Sequence, residues 1–322
     1  MKRKGWLIPI LVFILSFSIL FFYQNKERTT VSLATTTELP PILWSLVPTD
    51  INKVTYTYAD TQIETVRQDN IWVLSNLDNK HADDLYIYSI IGNFVQPVFE
   101  EVIELSPGDL TKYGITEASP SLSLYDNENN EYTLIKGNSI NETTDYVYAP
   151  LSNTVYAMKA SNFASLKNNL LDWRNKQLLD FNLSEVAKIS FSYKSIQATL
   201  TPSSTEDDPD KVVFTSNNIN DSLAAEFVNF LQNSKIQQFI TDNATDHVLD
   251  VYGFKNPSLQ CTIYLNTGTT YSLVIGNISK DENICYAMVN DNNSIVAIPY
   301  FDFSQFSSLY ADLHGESEDI LG

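Results

Sequence analysis

The chain has 322 residues, 43% of them hydrophobic and 18% charged, and a formal net charge of −19. That apolar share excludes a disordered chain and suffices for a packed core, and the length suggests two domains. A surface this acidic repels nucleic acid and anionic headgroups, and no Lys/Arg-rich stripe offsets it, so nucleic-acid binding is not expected.

Lys2, Arg3 and Lys4 precede an uncharged run from Trp6 to Tyr23, WLIPILVFILSFSILFFY. As a helix this run would span roughly 27 Å, close to the hydrocarbon core of a bilayer. Pro9 falls in the first turn, where its missing N–H costs little. The cations before the run predict residues 1–5 in the cytoplasm, a transmembrane anchor at 6–23 and the bulk outside, a single-pass protein of the plasma membrane. The rival, a cleaved signal peptide, would use Ser32-Leu33-Ala34, but cleavage sites follow the apolar region closely and this one is remote. An uncleaved signal-anchor is therefore expected. Residues 24–41, polar, Thr-rich and ending in Pro40-Pro41, read as a stalk.

Residues 42–165 read as a first repeat domain. VTYTY (54–58), QIETV (62–66) and IWVL (71–74) make an antiparallel meander. DDLYIYSIIGNFV (83–95) places Leu85, Tyr88, Ile91 and Val95 at helical spacing behind acidic residues, which predicts a helix. Short strands separated by Asn/Asp/Ser turns follow. Residues 187–310 repeat this order: KISFSY (188–193), IQATL (196–200) and KVVF (211–214), then a helix over 221–232 with Asp221 as N-cap, then short strands again.

The phrases YGITEASPSLSLY (113–125) and YGFKNPSLQCTIY (252–264) lie 139 residues apart, and Tyr132, Leu134, Gly137 and Asn138 match Tyr271, Leu273, Gly276 and Asn277 at that same offset. Matching order, spacing and identity predict two tandem repeats. Tyr113, Gly114 and Pro120, with Tyr252, Gly253 and Pro257, are then structural corners, Gly allowing a positive φ and Pro leading into the next strand.

Between the repeats, residues 166–186 form an amphipathic connector, expected to pack on both domains. Trp173, Arg174 and Lys176 are its candidates for partner docking, the alternative reading. Residues 311–322 form an acidic tail.

The repeated YG-x-P phrase, the strand-IG/KGN turn and the DWRNK-LLDF connector after an apolar N-terminus resemble the bacterial family carrying the domain of unknown function 4340 (DUF4340). The resemblance covers the chain after residue 40, with Trp173-Arg174-Asn175-Lys176 close to the family's Arg-Asp/Asn-Lys. It implies an exported, membrane-tethered protein, often found beside components of ABC-type transport systems, and it brings no catalytic residues.

Chemistry-bearing motifs are scarce. His81, His247 and His314 are isolated, without metal-ligand spacing. G-x-S-x-G, S-x-x-K, Walker-type and G-x-G-x-x-G patterns are missing. DNENNE (126–131) lacks the Gly of a calcium loop and reads as a hairpin turn. Cys261 and Cys285, the only cysteines, are either free core thiols or a disulfide.

The expected fold class is α+β: an N-terminal transmembrane helix and two tandem repeats, each an antiparallel sheet of short strands with one packed helix. No catalytic, cofactor or metal site is expected. The leading functional expectation is a non-enzymatic extracytoplasmic accessory or scaffold of a membrane complex, of the ABC-transport kind, with a protein partner. The alternatives are a cell-wall glycan or peptide module using an aromatic-lined groove, and a hydrolase with an unrecognised carboxylate pair.

Overall fold

The computed structural model describes residues 42–204, 212–290 and 292–314. Its first sheet contains β1 (Ile51–Tyr58), β2 (Thr61–Gln68), β3 (Ile71–Leu74), β4 (Lys80–His81), β5 (Phe99–Leu105), β6 (Ser121–Asp126), β7 (Glu131–Ser139), β8 (Thr144–Ala149) and β9 (Thr154–Lys159). The second contains β10 (Val186–Tyr193), β11 (Ile196–Ser204), β12 (Val212–Thr215), β13 (Gln238–Thr241), β14 (Leu259–Leu265), β15 (Thr270–Ser279), β16 (Ile284–Val289) and β17 (Ile295–Pro299). The strand orders are β4-β3-β2-β1-β6-β7-β8-β9-β5 and β12-β11-β10-β14-β15-β16-β17-β13. Apart from the two-residue β4 the two orders coincide, and every ladder is antiparallel.

Period-2 alternation sets the faces. On β10, Ile189, Phe191 and Tyr193 are buried while Lys188, Ser190 and Ser192 point the other way. Helices cover the buried faces. α1 (Asp84–Phe94), capped by the Asp83 side chain on the Tyr86 N–H, covers the first sheet. After the short α2 (Ala160–Ala164) come α3 (Asp221–Asn233), α4 (Asp246–Val251) and α5 (Tyr300–His314). In the second core Phe227 of α3 stacks on Phe191 at 3.9 Å, and Phe306 of α5 packs on both.

Several expectations are corrected here. The described chain is mostly two antiparallel sheets with few helices, not an α+β pair with one helix each. No helix among the described residues is long and apolar enough to cross a membrane. The segment expected to be cytoplasmic (1–5), the expected anchor (6–23) and the expected stalk (24–41) lie outside the described residues. α1 buries Ile87, Ile90, Ile91 and Phe94, whereas Leu85 is 82% exposed and Tyr88 41%. The run YIYSII is apolar nearly all round, so periodicity alone left the phase of the stripe open. Asn220, not Asp221, caps α3 by accepting from the Leu223 N–H. α5, which buries Phe303, Phe306 and Tyr310, crosses the expected start of the acidic tail. Its Ser and aromatic residues are weak helix formers, and burial against α3 overrides that propensity.

The two Tyr-Gly phrases form the same corner. Gly114 and Gly253 have φ of +71° and +85°, a region L side chains rarely adopt. A Cβ on either would overlap the side chain of Asn138 or Asn277, and a Cβ on Gly137 or Gly276 would overlap the carbonyl of Tyr113 or Tyr252. The Gly-Asn pair sits where the β7–β8 and β15–β16 registers shift, so a bulge admits the corner. Asn277 N donates to Tyr252 O at 2.8 Å and its Nδ2 to Val251 O at 2.9 Å. Tyr113 packs on Tyr146 at 4.9 Å, and Tyr252 on Tyr286 at 4.5 Å. Pro120 directly precedes β6, and Pro257 stands two residues before β14.

This geometry separates two glycine substitutions. Gly268 has φ +89° but nothing within 4 Å of the place a Cβ would take, so Gly268→Ala should cost only the backbone term, ~1 kcal/mol. Gly253→Ala adds the overlap with Asn277 and should cost ~3 kcal/mol. Urea unfolding of both variants checks this, and equal losses would show that close approach at the corner contributes nothing.

Candidate functional site at the junction of the two sheets

Within the connector the Asn169 side chain caps a 3-10 turn over Leu170–Trp173. Trp173 is fully buried. Its indole N–H donates to Lys167 O at 2.8 Å, and its ring stacks on Tyr56 at 6.1 Å and meets Tyr86 edge-on at 5.2 Å. Tyr56 donates to Asn168 Oδ1 at 2.9 Å, and burial, with Tyr58 and Tyr86 nearby, pushes its phenol up to about 12. Burial likewise raises Tyr86, whose hydroxyl accepts from Lys167 N at 2.7 Å.

The next residues stitch the sheets together through the backbone. Asp83 N donates to Trp173 O at 2.8 Å and Asn175 N to His81 O at 2.9 Å, forming a bridge at Ala82–Arg174 beside β4. Ile236 N donates to Lys176 O at 2.7 Å, and a second bridge joins Gln177 to Lys235 before β13. Leu166 and Trp173 belong to the first core, Leu178 and Leu179 to the second. The connector is therefore shared between the two sheets.

Arg174 lies at the centre, with 8% of its side chain exposed. Its guanidinium donates a two-pronged fork to Asp242, Nη1 to Oδ2 and Nη2 to Oδ1, each at 3.0 Å. Its Cζ lies over the Phe239 ring, 3.7 Å from the ring centre. Asp242 also accepts from Ser294 Oγ at 3.0 Å and pairs with Lys80 at 3.4 Å. Burial would raise the Asp242 carboxyl, but the Arg174 fork and charge, then Ser294 and Lys80, outweigh it and hold it below the usual carboxylate range. Beside the fork His81 is held between Asp84, at 3.2 Å from Nε2, and Asn175, at 3.1 Å from Nδ1. A cleft of about 350 Å³ opens here, lined in part by Lys80, His81, Asn175, Phe239, Tyr271 and Ser294.

The docking role considered for the connector is closed to two of its three residues. Trp173 is 0% and Arg174 6% exposed, because both are spent on holding the sheets together. Lys176 is partly exposed and pairs with Asp172 at 3.1 Å. The corner residues Tyr113, Gly114, Pro120, Tyr252, Gly253 and Pro257 stand outside this cleft. Phe239, Asp242, Ser294 and Lys80 were not anticipated. A buried Arg demands an acid, but the sequence offers 39 carboxylates and names none of them.

A disulfide between Cys261 and Cys285 is ruled out. Both thiols are free and buried, on strands separated by β15. Two strand spacings alone put the Cα atoms ~9.5 Å apart, beyond the reach of a disulfide. Burial raises both thiols, Cys285 to about 12, with Asp302 adding to the effect there.

Of the histidines, His81 joins the junction, His247 lies on α4, and His314 stacks on Tyr310 at 4.3 Å. Among the described residues no group of three or more His, Cys, Asp or Glu is placed to hold a metal. Burial raises the Asp302 carboxyl, which lines neither the junction cleft nor the trough described next. An open trough of about 650 Å³ on the outer face of the second sheet is lined mainly by Ser, Thr, Gln and Asn, with the buried Phe191 and Ala198, and not by Tyr and Trp as an aromatic groove would be. Trp44, Trp72 and Trp173 are all in the first core.

Two measurements check these assignments. A thiol reagent should find no reactive cysteine in the native protein and two in denaturant; a reactive thiol in the native state would contradict the burial. Asp242 titrates lower folded than unfolded, where its pKa is ~3.9, so its stabilisation is complete above that value and fades as pH falls through the folded one. Asp242→Asn should thus cost ~2 kcal/mol at neutral pH, with variant and wild type converging in acid once the folded carboxyl is protonated. A gap that stays constant with pH would show that the charge of Asp242 contributes nothing.

No curated protein and no solved structure matches the chain. One family's sequence model does match, over residues 72–250, as a single span. The span runs from β3 through the connector into α4, so it contains Lys80, Arg174 and Asp242, the charged residues of the fork. With more than half of its length inside that match, the chain belongs to the family described as a domain of unknown function (DUF4340).

Proposed function

We propose that this protein is a non-catalytic accessory of a membrane complex of the ABC-transport kind, acting outside the cytoplasm as a two-part scaffold that binds protein partners. The junction carries this reading. Its cations are consumed by carboxylates within the chain, Arg174 and Lys80 by Asp242, and its connector is bonded to both sheets. Such an arrangement fixes the relative placement of two surfaces, which suits a scaffold. The net charge of −19 favours a partner with a complementary basic surface, with charge setting the rate and register of docking.

We also propose that the two sheets are tandem copies of one unit. The coincident strand orders and the paired corners at Gly114 and Gly253 support this. Two copies of one module would offer a partner two related faces at a fixed angle.

The test is crosslinking and purification of the tagged full-length protein from gently solubilised membranes. A transporter permease or ATPase subunit should copurify in fixed ratio, and Arg174→Ala should reduce the yield of that complex several-fold. A protein that migrates alone would overturn the reading. Arg174→Lys should not rescue the complex, because an ammonium can neither form the two-pronged fork nor stack on Phe239.

A further inference from the structure

Rows of side chains run across the outer face of each sheet and correspond position by position. In the first sheet, Glu64, Thr55, Ser123 and Thr133 are successive cross-strand neighbours. In the second, the same places hold Thr199, Ser190, Thr262 and Ser272. In the neighbouring row, two residues along each strand, a lysine lies over a tyrosine ring, Lys53 over Tyr125 at 3.7 Å and Lys188 over Tyr264 at 4.5 Å. Opposite those tyrosines stand Glu131 and Thr270.

That last difference decides what the faces do. Glu131 Oε1 accepts from Ser123 at 3.0 Å, Thr133 at 2.9 Å and Tyr125 at 2.9 Å, and Thr55 and Ser123 are only 6% and 7% exposed. The first face is thereby closed by its own carboxylate. The second has Thr at both Glu positions, so nothing gathers its hydroxyls. Among the described residues its row has a single internal side-chain bond, Ser190 to Thr199 at 3.3 Å, and it opens into the trough of about 650 Å³.

We propose that this trough binds a neutral glycan chain. Its lining side chains carry no charge in a chain of net charge −19, so it offers a cationic or anionic ligand no ion pair. Phe191 and Ala198, the apolar members of its lining, are buried, so an apolar helix would find no seat. At Ser190 and Thr262 the backbone is bonded in ladders on both sides, so a ligand over this part of the face meets side chains and not free N–H and C=O groups. What remains is an array of hydroxyls and amides at strand spacing, from residues such as Thr199, Thr262, Gln197 and Gln260, each able both to donate and to accept. A polyhydroxylated, uncharged polymer matches that array, and the volume lies within the usual range for ligand sites.

The internal comparison supplies the test. Full-length protein is titrated calorimetrically with chitohexaose, cellohexaose and maltohexaose. At least one should bind, and Thr199→Glu or Thr270→Glu, which install the carboxylates of the first sheet, should weaken it tenfold or more. Thr262→Val, which removes one hydroxyl at nearly constant shape, should also weaken binding, while Glu131→Thr on the other sheet should leave it unchanged. Unaltered unfolding midpoints show that the variants are folded. The proposal is overturned if none of the three glycans binds or if the trough substitutions leave binding intact. It is equally overturned if the face is filled by a second copy, seen as a dimer that Thr199→Glu dissociates. None of these outcomes depends on whether a transporter subunit copurifies.

Discussion

A guanidinium with only 8% of its side chain in contact with water is costly to bury unless its charge and its donors are met, and Asp242 meets both for Arg174. The rest of the junction follows from that demand. Phe239 supplies a face for the guanidinium plane, Ser294 takes up further acceptor capacity on Asp242, and Lys80 offsets what burial would do to the carboxyl. Because Arg174 sits on the connector and Asp242 just after β13, the pair holds two separately cored sheets in one arrangement. Backbone bridges on either side, at Ala82–Arg174 and Gln177–Lys235, make the connector an extension of both edges. Those edges would otherwise present unpaired N–H and C=O groups.

Each sheet solves the burial of its apolar face differently although the strand order is shared. The first uses α1 and the large rings of Trp44, Trp72 and Trp173. The second uses α3 and α5, whose Phe227, Phe230, Phe303 and Phe306 form an aromatic layer with Phe191 and Tyr193. The backbone plan tolerates this exchange because a sheet face asks only for apolar volume at alternate positions. Outer faces diverge more freely still away from the corners, where Tyr113 packs on Tyr146 and Tyr252 on Tyr286. Glu131 against Thr270 is such a divergence, and it changes a closed hydrogen-bonded face into an open one.

Much of the plan was legible in the chain. Alternation at 54–58 and 188–193 identified the central strands, because period-2 burial is a local property of a pleated strand. The Tyr-Gly and Gly-Asn phrases marked the corners, because a positive φ and a close backbone approach restrict those places to glycine. The junction was legible only in part. DWRNK stands out as a basic, amphipathic stretch between the two repeated phrases, but its residues read equally as available to a partner. Burial cannot be read from a Trp-Arg pair without knowing what packs against it. α5 was missed because its helical spacing of Phe303, Phe306 and Tyr310 is carried by residues that do not favour helices.

The sequence by itself determined the strands, their faces and the paired corners, all of which follow from backbone sterics and periodicity within a few residues. Tertiary structure alone decided which of many acids receives Arg174, which face of α1 is buried, and that the two cysteines never meet. It also decided that one outer face is closed and the other open. These are outcomes of contacts between residues tens of positions apart, where the choice among chemically equivalent partners is made by the geometry of packing and not by residue type.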